Sequence, residues 1–143
     1  MIAVDTNILV PIVRTEYPHH TAAYDCIRSL AEGAAPWAIP WPCVHEFLAV
    51  VTNPRIFQQP LSPSEAITAI DILLESPSVR LLSEVAGYWP VARSLLGGGT
   101  VMGARVHDAR IAALCLTYGV DELWTADRDF SRFPQLRVRN PLA

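Results

Sequence analysis

The chain has 143 residues, of which 51% are hydrophobic and 17% charged, and this composition excludes a largely disordered protein. That length suits one compact domain with a substantial core, and no apolar run approaches the ~18 residues of a membrane span. All eleven basic residues are arginines, so mechanisms that require lysine, such as P-loop phosphate binding and Schiff-base chemistry, are excluded.

The formal net charge of −3 is unusual for a protein that binds nucleic acid. If bound metal neutralised four of the fourteen carboxylates, eleven arginines would face ten remaining acids. The acidity is therefore compatible with a phosphate-bearing substrate, although it argues against a broad basic binding surface.

The N-terminal segment and the cysteines indicate the cellular compartment. The apolar first thirteen residues are interrupted by Asp5 and lack a basic segment or cleavage site, so they predict a first strand rather than a signal peptide. The three cysteines, Cys26, Cys43 and Cys115, are odd in number and widely spaced. We therefore expect a cytoplasmic protein without disulfides or a zinc knuckle, and without membrane association.

Strands and helices are predicted to alternate along the chain, with no internal repeat and no linker. The predicted strands are residues 2–4, 37–39, 79–82, 122–125 and an edge strand at 136–138. The predicted helices are residues 20–31, 42–52, 63–74 after a capping box at 62–65, 88–96, and 108–118. This alternation predicts a single α/β domain over residues 1–143, with a central, mostly parallel sheet flanked by helices.

Three aspartates are predicted to lie at one end of this sheet. Asp5 and Asp127 follow predicted strands, at the carboxyl edge where open parallel sheets place their sites. Asp108 stands at the predicted start of a helix, where the helix dipole stabilises a carboxylate. Taken singly, Asp5 also suits a turn and Asp108 a plain helix cap. Their common placement favours a shared site.

Helical spacing makes different predictions for Asp108 and Glu46. Asp108 continues the apolar stripe of Ile111, Ala112 and Cys115, so its side chain is expected over the end of the sheet. Glu46 falls nearly opposite the core face of its own helix, which permits a solvated glutamate. The apolar neighbours of Glu46 permit the alternative, a lone carboxylate in a helix buried on several sides, which is costly unless paired or metal-bound.

Crowded carboxylates repel one another, and their pKa values rise unless a cation intervenes. Mg²⁺ and Mn²⁺ prefer oxygen ligands and commonly combine a few carboxylates with waters and substrate phosphate oxygens. A metal bound in this way activates water and stabilises charge on a scissile phosphate. The acids therefore predict a metal-dependent phosphodiester hydrolase.

Four segments carry a family resemblance over nearly the whole chain. They are the opening V-D-T-N-I-L at residues 4–9, the helical Glu46, H-D-A…I-A-A at residues 107–113, and L-W-T-A-D-R-D-F at residues 123–130. In this order and spacing they resemble PIN-domain ribonucleases, and more narrowly VapC-type toxins of bacterial toxin–antitoxin pairs. The T-x-D-x-D-F pattern makes the match specific, because D-T-N alone is common.

The resemblance implies a PIN-like fold and a Mg²⁺- or Mn²⁺-dependent endoribonuclease that cuts tRNA, rRNA or mRNA and inhibits translation and growth. The expected products carry a 3′-hydroxyl and a 5′-phosphate. It also implies a homodimer, and a VapB-type antitoxin that covers the active groove in a toxin–antitoxin hetero-oligomer. By position, the catalytic and metal-binding roles fall to Asp5, Glu46, Asp108 and Asp127.

Neighbouring residues are given supporting roles. The hydroxyls of Thr6 and Thr125 are expected to support the site, and Asn7 to orient Asp5. Asp129 is either an outer ligand or the cap of the following turn.

Two arginines and two histidines flank the acids. Arg105 and Arg110 are candidates for contact with substrate phosphate or antitoxin carboxylates, the alternative being solvated surface arginines. His45 and His107 are expected near the site but not as ligands, because their spacing forms no zinc motif.

Two other classes of protein compete with the nuclease. The first is a catalytically inactive PIN-like module that binds RNA or protein, which the complete set of acids argues against. The second is a phosphoryl-transfer receiver or phosphatase, which also begins with an aspartate after a first strand. A receiver requires a lysine, and the phosphatase opening D-x-D is absent because Asp5 is followed by Thr6 and Asn7.

Overall fold

The computed structural model describes residues 1–143 and contains one five-stranded sheet. Its strands are β1 (Ile2–Val4), β2 (Trp37–Pro40), β3 (Val79–Leu82), β4 (Glu122–Trp124) and β5 (Val138–Arg139). They lie in the order β3-β2-β1-β4-β5, and every neighbouring pair is parallel. The predicted α/β fold with a flanked central sheet is confirmed.

Six helices surround the sheet. They are α1 (Thr6–Leu9), α2 (His20–Glu32), α3 (Trp41–Val51), α4 (Pro63–Leu74), α5 (Tyr88–Leu96) and α6 (Arg105–Thr117), with 3-10 segments at Val10–Val13 and Arg128–Arg132. The predicted capping box begins α4, since the Ser62 hydroxyl accepts from the Glu65 N–H at 3.1 Å and the Glu65 carboxylate accepts from the Ser62 N–H at 3.0 Å. None of these helices combines the length and apolar character needed to cross a membrane.

The strand order places a crevice between β1 and β4. From β1 the chain goes on to β2 and β3 on one side, whereas β4 is followed by β5 on the other. Val4 is in register with Trp124, so both strands end at the same level. Such a reversal of strand order opens a crevice at the carboxyl edge of a parallel sheet, and this is where the predicted acids begin.

Helix α6 closes the core behind this crevice. Its predicted sheet-facing stripe of Ile111, Ala112 and Cys115 is buried, as are the β1 and β4 residues Ala3 and Leu123. Small side chains on α6 let the helix approach the sheet closely, so residues in its first turn lie near the strand ends.

Several predicted boundaries were wrong by one or more residues, including those of α6, β4 and β5. Helix α6 begins at Arg105, because helical turns already form upstream: the Arg105 and His107 N–H groups donate to Met102 and Ala104 carbonyls. Strand β4 ends at Trp124, one residue early. Strand β5 begins only at Val138, because the Leu136 N–H donates to a turn carbonyl rather than to the sheet.

Candidate active site

Asp5 is held rigidly at the end of β1. Its backbone is extended, and one side-chain oxygen accepts from the Thr6 N–H at 2.8 Å, so Asp5 caps α1. The other oxygen accepts from the Thr125 hydroxyl at 2.8 Å and from the Asn7 amide at 3.3 Å. The residue is only 5% exposed. Together with the Cys43 thiol, which donates to the first oxygen at 3.5 Å, these donors fix the orientation of a buried carboxylate.

Thr125 links the ends of β1 and β4. Besides donating to Asp5, its hydroxyl accepts from the Asn7 side-chain amide at 3.2 Å and from the Asp127 N–H at 3.0 Å. The side-chain carbonyl oxygen of Asn7 in turn accepts from the Ala126 N–H at 2.9 Å. The loop that carries Asp127 is thereby hydrogen-bonded to the segment that carries Asp5.

The four predicted acids influence one another electrostatically. Burial raises the pKa of Asp5, hydrogen bonds from Thr125 and Thr6 oppose this rise, and the charge of Asp127 adds to it. Burial raises the pKa of Asp108, Arg105 opposes the rise, and Asp127 again adds to it. Carboxylates from distant parts of the sequence, those of Asp5, Asp108 and Asp127, thus interact electrostatically.

Glu46 reaches this cluster from α3. Desolvation of its carboxylate raises its pKa, and the charges of Asp5, Asp108 and Asp127 raise it further. As a residue Glu46 is nevertheless exposed, and so is its neighbour Ala49. The interpretation of Glu46 as a carboxylate in a helix buried on several sides is therefore wrong, because this face of α3 borders open cavities that only partly desolvate the carboxylate.

An open cavity of about 440 Å³ joins α3 to α6. Glu46 and Asp108 line it together with His45, His107 and Arg110. Both histidines thus lie beside the acids, as the sequence predicted.

Arg105 is the cation of the cluster. Its guanidinium donates to Asp108 at 3.3 Å and is ion-paired with Asp129, while the side chain stays 37% exposed. Arg110 pairs with Glu84 instead. The positive charge that the sequence placed around Asp108 is therefore already engaged by carboxylates.

Two predicted capping roles are corrected by the geometry. Asp108 lies inside the first turn of α6 rather than at the cap position, which Ala104 occupies. Asp127, not Asp129, caps the 3-10 segment, since its Oδ1 accepts from the Asp129 N–H at 2.8 Å. The side chain of Asp129 turns to Arg105 instead.

Known proteins resemble this chain over nearly its whole length. A family model described as the PIN domain matches residues 2–136. Ribonuclease VapC43 of Mycobacterium tuberculosis is 35% identical over 142 residues, covering 99% of this chain and 96% of the relative. Ribonuclease VapC48 of the same species is 32% identical over 139 residues, covering 97% and 96%. The chain belongs to the PIN-domain family, among the VapC-type ribonucleases.

Solved structures share this PIN fold at lower identity. VapBC-1 from nontypeable Haemophilus influenzae matches with a TM-score of 0.69 and 19% identity over 100% of both chains. VapBC2 from Rickettsia felis, bound to a DNA fragment from its promoter, matches with a TM-score of 0.68 and 22% identity over 98% of both chains. The predicted family resemblance is confirmed.

The sequence did not single out Cys43 as part of this PIN-domain site. Its thiol donates to Asp5 at 3.5 Å, and its carbonyl accepts from the Thr6 hydroxyl at 3.2 Å. Burial raises the pKa of this thiol well above its ordinary value, so Cys43 is a neutral donor rather than a thiolate ligand. The one available signal was its position three residues before Glu46, on the same helix.

The donor chemistry of the site fits a hard divalent cation. As the side chains are placed, no three histidine, cysteine, aspartate or glutamate residues converge closely enough to hold a metal ion. The four acids nonetheless offer only oxygen, and at least three of them have a raised pKa to which neighbouring carboxylates contribute. Mg²⁺ and Mn²⁺ need few protein ligands because they retain several waters. Binding one would relieve the repulsion.

Proposed function

We propose that this PIN-domain chain is a Mg²⁺- or Mn²⁺-dependent endoribonuclease, the toxin of a toxin–antitoxin pair that inhibits translation and growth. The observation that supports it is the crowding of Asp5, Glu46, Asp108 and Asp127 at the crevice between β1 and β4, where burial and then neighbouring carboxylates raise the pKa of Asp5, Glu46 and Asp108. Arg105 compensates only part of this negative charge, which is unfavourable in a stable fold, and a bound cation would offset the remainder.

In this proposal the four acids would hold the cation, which would supply an activated water and neutralise charge on the scissile phosphate. The remaining residues act by positioning. Thr125 and Asn7 hold the Asp5 carboxylate in one orientation and tie the loop of Asp127 to it. Fixed ligands lower the cost of reorganisation when charge develops on the substrate. Hydrolysis leaves a 3′-hydroxyl and a 5′-phosphate.

The test is Asp5→Asn, which keeps a good capping residue while removing a charged oxygen ligand. We expect the variant to lose cleavage of RNA with Mg²⁺ or Mn²⁺ while its circular dichroism spectrum stays that of the wild type. Asp71→Asn, which neutralises an exposed acid on α4, is the matched control and should cut normally. Full activity of Asp5→Asn, or of the wild type in excess EDTA, would contradict the proposal.

The inactive binding module predicts a different result. Such a protein would retain RNA in a binding assay and release no fragment at any metal concentration. The two functions are therefore separated by measuring binding and cleavage on the same RNA, with the metal titrated from micromolar to millimolar.

We also propose an antitoxin partner and a homodimer. The structure has a cavity of about 290 Å³ lined only by apolar residues, among them Tyr24 and Ile72, which are 48% and 60% exposed. Exposed apolar surface of this kind supports a protein partner. The matched solved structures named VapBC support an antitoxin as that partner.

The partner proposal is tested with the small protein encoded next to the gene. Co-expression should silence cleavage, and Ile72→Arg should weaken the complex. Ile67→Arg, on the same helix but outside the cavity, should not. If the co-expressed partner still silenced Ile72→Arg as strongly as the wild type, this face would be excluded as the binding surface. Light scattering of the chain alone should give twice its mass of 15.7 kDa if it is a homodimer.

A further inference from the structure

A second open cavity, of about 450 Å³, lies on the β5 side of the acids. This volume falls within the ~300–1,000 Å³ of sites that hold small ligands. Its polar lining residues are Thr125, Asp127, Arg128, Ser131, Arg139 and Asn140. The remaining lining residues are alanines and a valine, so most of the lining residues carry charged or hydrogen-bonding groups.

Two of the lining residues are arginines without partners. The exposed side chains of Arg128 and Arg139 make no hydrogen bond and no ion pair within the chain. Arg105 and Arg110, on the other side of the acids, are both engaged by carboxylates. Asp127 is the one acid in the cavity lining. Free positive charge near the acids is therefore concentrated in this cavity.

The pairing register between β4 and β5 brings Arg139 to the end of the sheet where the acids lie. Arg139 is in register with Trp124 at the end of β4, and its carbonyl accepts from the Thr125 N–H at 2.9 Å. Arg128 begins the 3-10 segment that Asp127 caps. Thr125 lines the cavity, and its hydroxyl donates to Asp5 at 2.8 Å. The cavity and the acid cluster consequently share a wall.

We propose that this cavity is a phosphate subsite for the RNA strand that runs on from the cleaved bond, with Arg128 and Arg139 binding backbone phosphate oxygens. This inference rests on the proposed nuclease function and names how the substrate is held. The Ser131 hydroxyl and the Asn140 amide lie in the same lining and supply hydrogen bonds to sugar or phosphate. Arginine suits the role because its planar group donates two parallel hydrogen bonds to phosphate.

The physical need for such a subsite follows from the charge of the acids. A polyanionic strand that crosses four carboxylates is repelled wherever bound metal does not compensate them. The cavity that contains Glu46 and Asp108 shares no lining residue with this one, so the acids are divided between two adjoining openings, with Asp127 in this one. A strand seated at the acids can continue past Asp127 onto two free guanidinium groups. An acidic protein segment is the competing occupant, and the test separates the two.

The experiment replaces Arg128 and Arg139 by glutamine, singly and together. Arg132→Gln is the matched control, because Arg132 is exposed and unpaired on the same 3-10 segment but lies outside the cavity. Cleavage of a fluorescent single-stranded RNA is measured between 50 and 200 mM salt. Each single variant should lower kcat/KM about tenfold and reduce the salt slope by about 0.7, the value for one lost phosphate contact on a single strand. Arg132→Gln should stay within about twofold of the wild type.

A binding measurement keeps this test independent of catalysis. In the Asp5→Asn background, fluorescence anisotropy reports RNA affinity, and Arg128→Gln/Arg139→Gln should weaken it with a reduced salt slope. A wild type that binds but never cuts would defeat the nuclease proposal and leave the subsite standing. Arginine variants that cut, bind and respond to salt like Arg132→Gln would overturn the subsite. So would variants that retain RNA but lose the antitoxin, since the cavity would then be a protein site.

Discussion

The Arg105 guanidinium donates a hydrogen bond to the Asp108 carboxylate at 3.3 Å. In a cluster where Asp127 raises the pKa of its neighbours, Arg105 is the group that opposes this rise at Asp108. The same guanidinium pairs with Asp129. Arg105 is therefore the internal counterion of the metal-free site, and a bound cation would compete with it for the same carboxylate.

Removing this counterion should strengthen metal binding. Arg105→Gln leaves Asp108 and Asp129 without a positive partner, and a partly exposed ion pair contributes about 0.2–1 kcal/mol. We expect Mn²⁺ affinity, measured by isothermal titration without RNA, to rise by about two- to fivefold. Arg93→Gln, which removes an exposed and unpaired arginine on α5, is the control and should leave the affinity unchanged. Weaker binding by Arg105→Gln would show that Arg105 positions Asp108 instead.

Thr125 offers a test of positioning. Thr125→Val keeps the shape of the side chain but removes the hydroxyl that donates to Asp5 and accepts from Asn7 and Asp127. Loss of buried hydrogen bonds should lower the free energy of unfolding by about 1–3 kcal/mol in urea titrations. Loss of orientation around ligands should reduce RNA cleavage about 10- to 100-fold.

Thr125→Ser provides the matched control, because it retains the hydroxyl and loses only a methyl group. It should keep most of the cleavage rate. A fully active Thr125→Val, or equal losses in both variants, would show that packing at this position matters rather than the hydrogen bonds.

Local signals predicted much of the fold and part of the site. A three-residue buried strand followed by Asp5, Thr6 and Asn7 predicted a turn or a helix cap, and Asp5 caps α1. The capping box predicted the start of α4 at Pro63. Caps and turns succeed as signals because their hydrogen bonds join residues a few positions apart.

The contacts that sequence reasoning missed join distant segments. Cys43 meets Asp5 across 38 positions, and Arg105 meets Asp129 across the α6–β4 connection. Helical periodicity correctly placed Glu46 away from the core face of α3. Periodicity alone does not tell whether another element packs against the side of α3 that carries Glu46. Such contacts depend on how α1, α3 and α6 pack at the sheet edge, which no local pattern encodes.

The reactivity of the three cysteine thiols tests whether the residues around the site are buried. Cys43 and Cys115 are buried and Cys26 is half-buried. Burial raises the pKa of Cys115 to about 12, so almost none of it is thiolate at pH 8. We expect a disulfide reagent such as Ellman's to titrate one thiol, Cys26, in the folded metal-free chain, and three after denaturation. Rapid reaction of a Cys26→Ser variant would contradict the placement of α3 and α6.

The pH dependence of stability tests whether neighbouring carboxylates repel the carboxylate of Glu46. Desolvation and then the charge of Asp5 raise its pKa in the metal-free fold. A folded-state pKa above the unfolded value means that folding favours the protonated form. Its stabilising contribution is therefore fully present below the unfolded pKa, about 4.3, and is lost as the pH rises through the folded value.

Glu46→Gln imitates the protonated carboxyl at every pH. In EDTA the variant should unfold at a higher urea concentration than the wild type at pH 7–8, and this gain should disappear near pH 4. With saturating Mg²⁺ the order should reverse, because a ligand that binds only the folded state stabilises the protein with the better site. Asp71→Asn neutralises an acid far from the cluster and should show neither the pH-dependent gain nor the reversal. A gain that grows towards acid pH, or an order that Mg²⁺ leaves unchanged, would remove Glu46 from the cation-binding set.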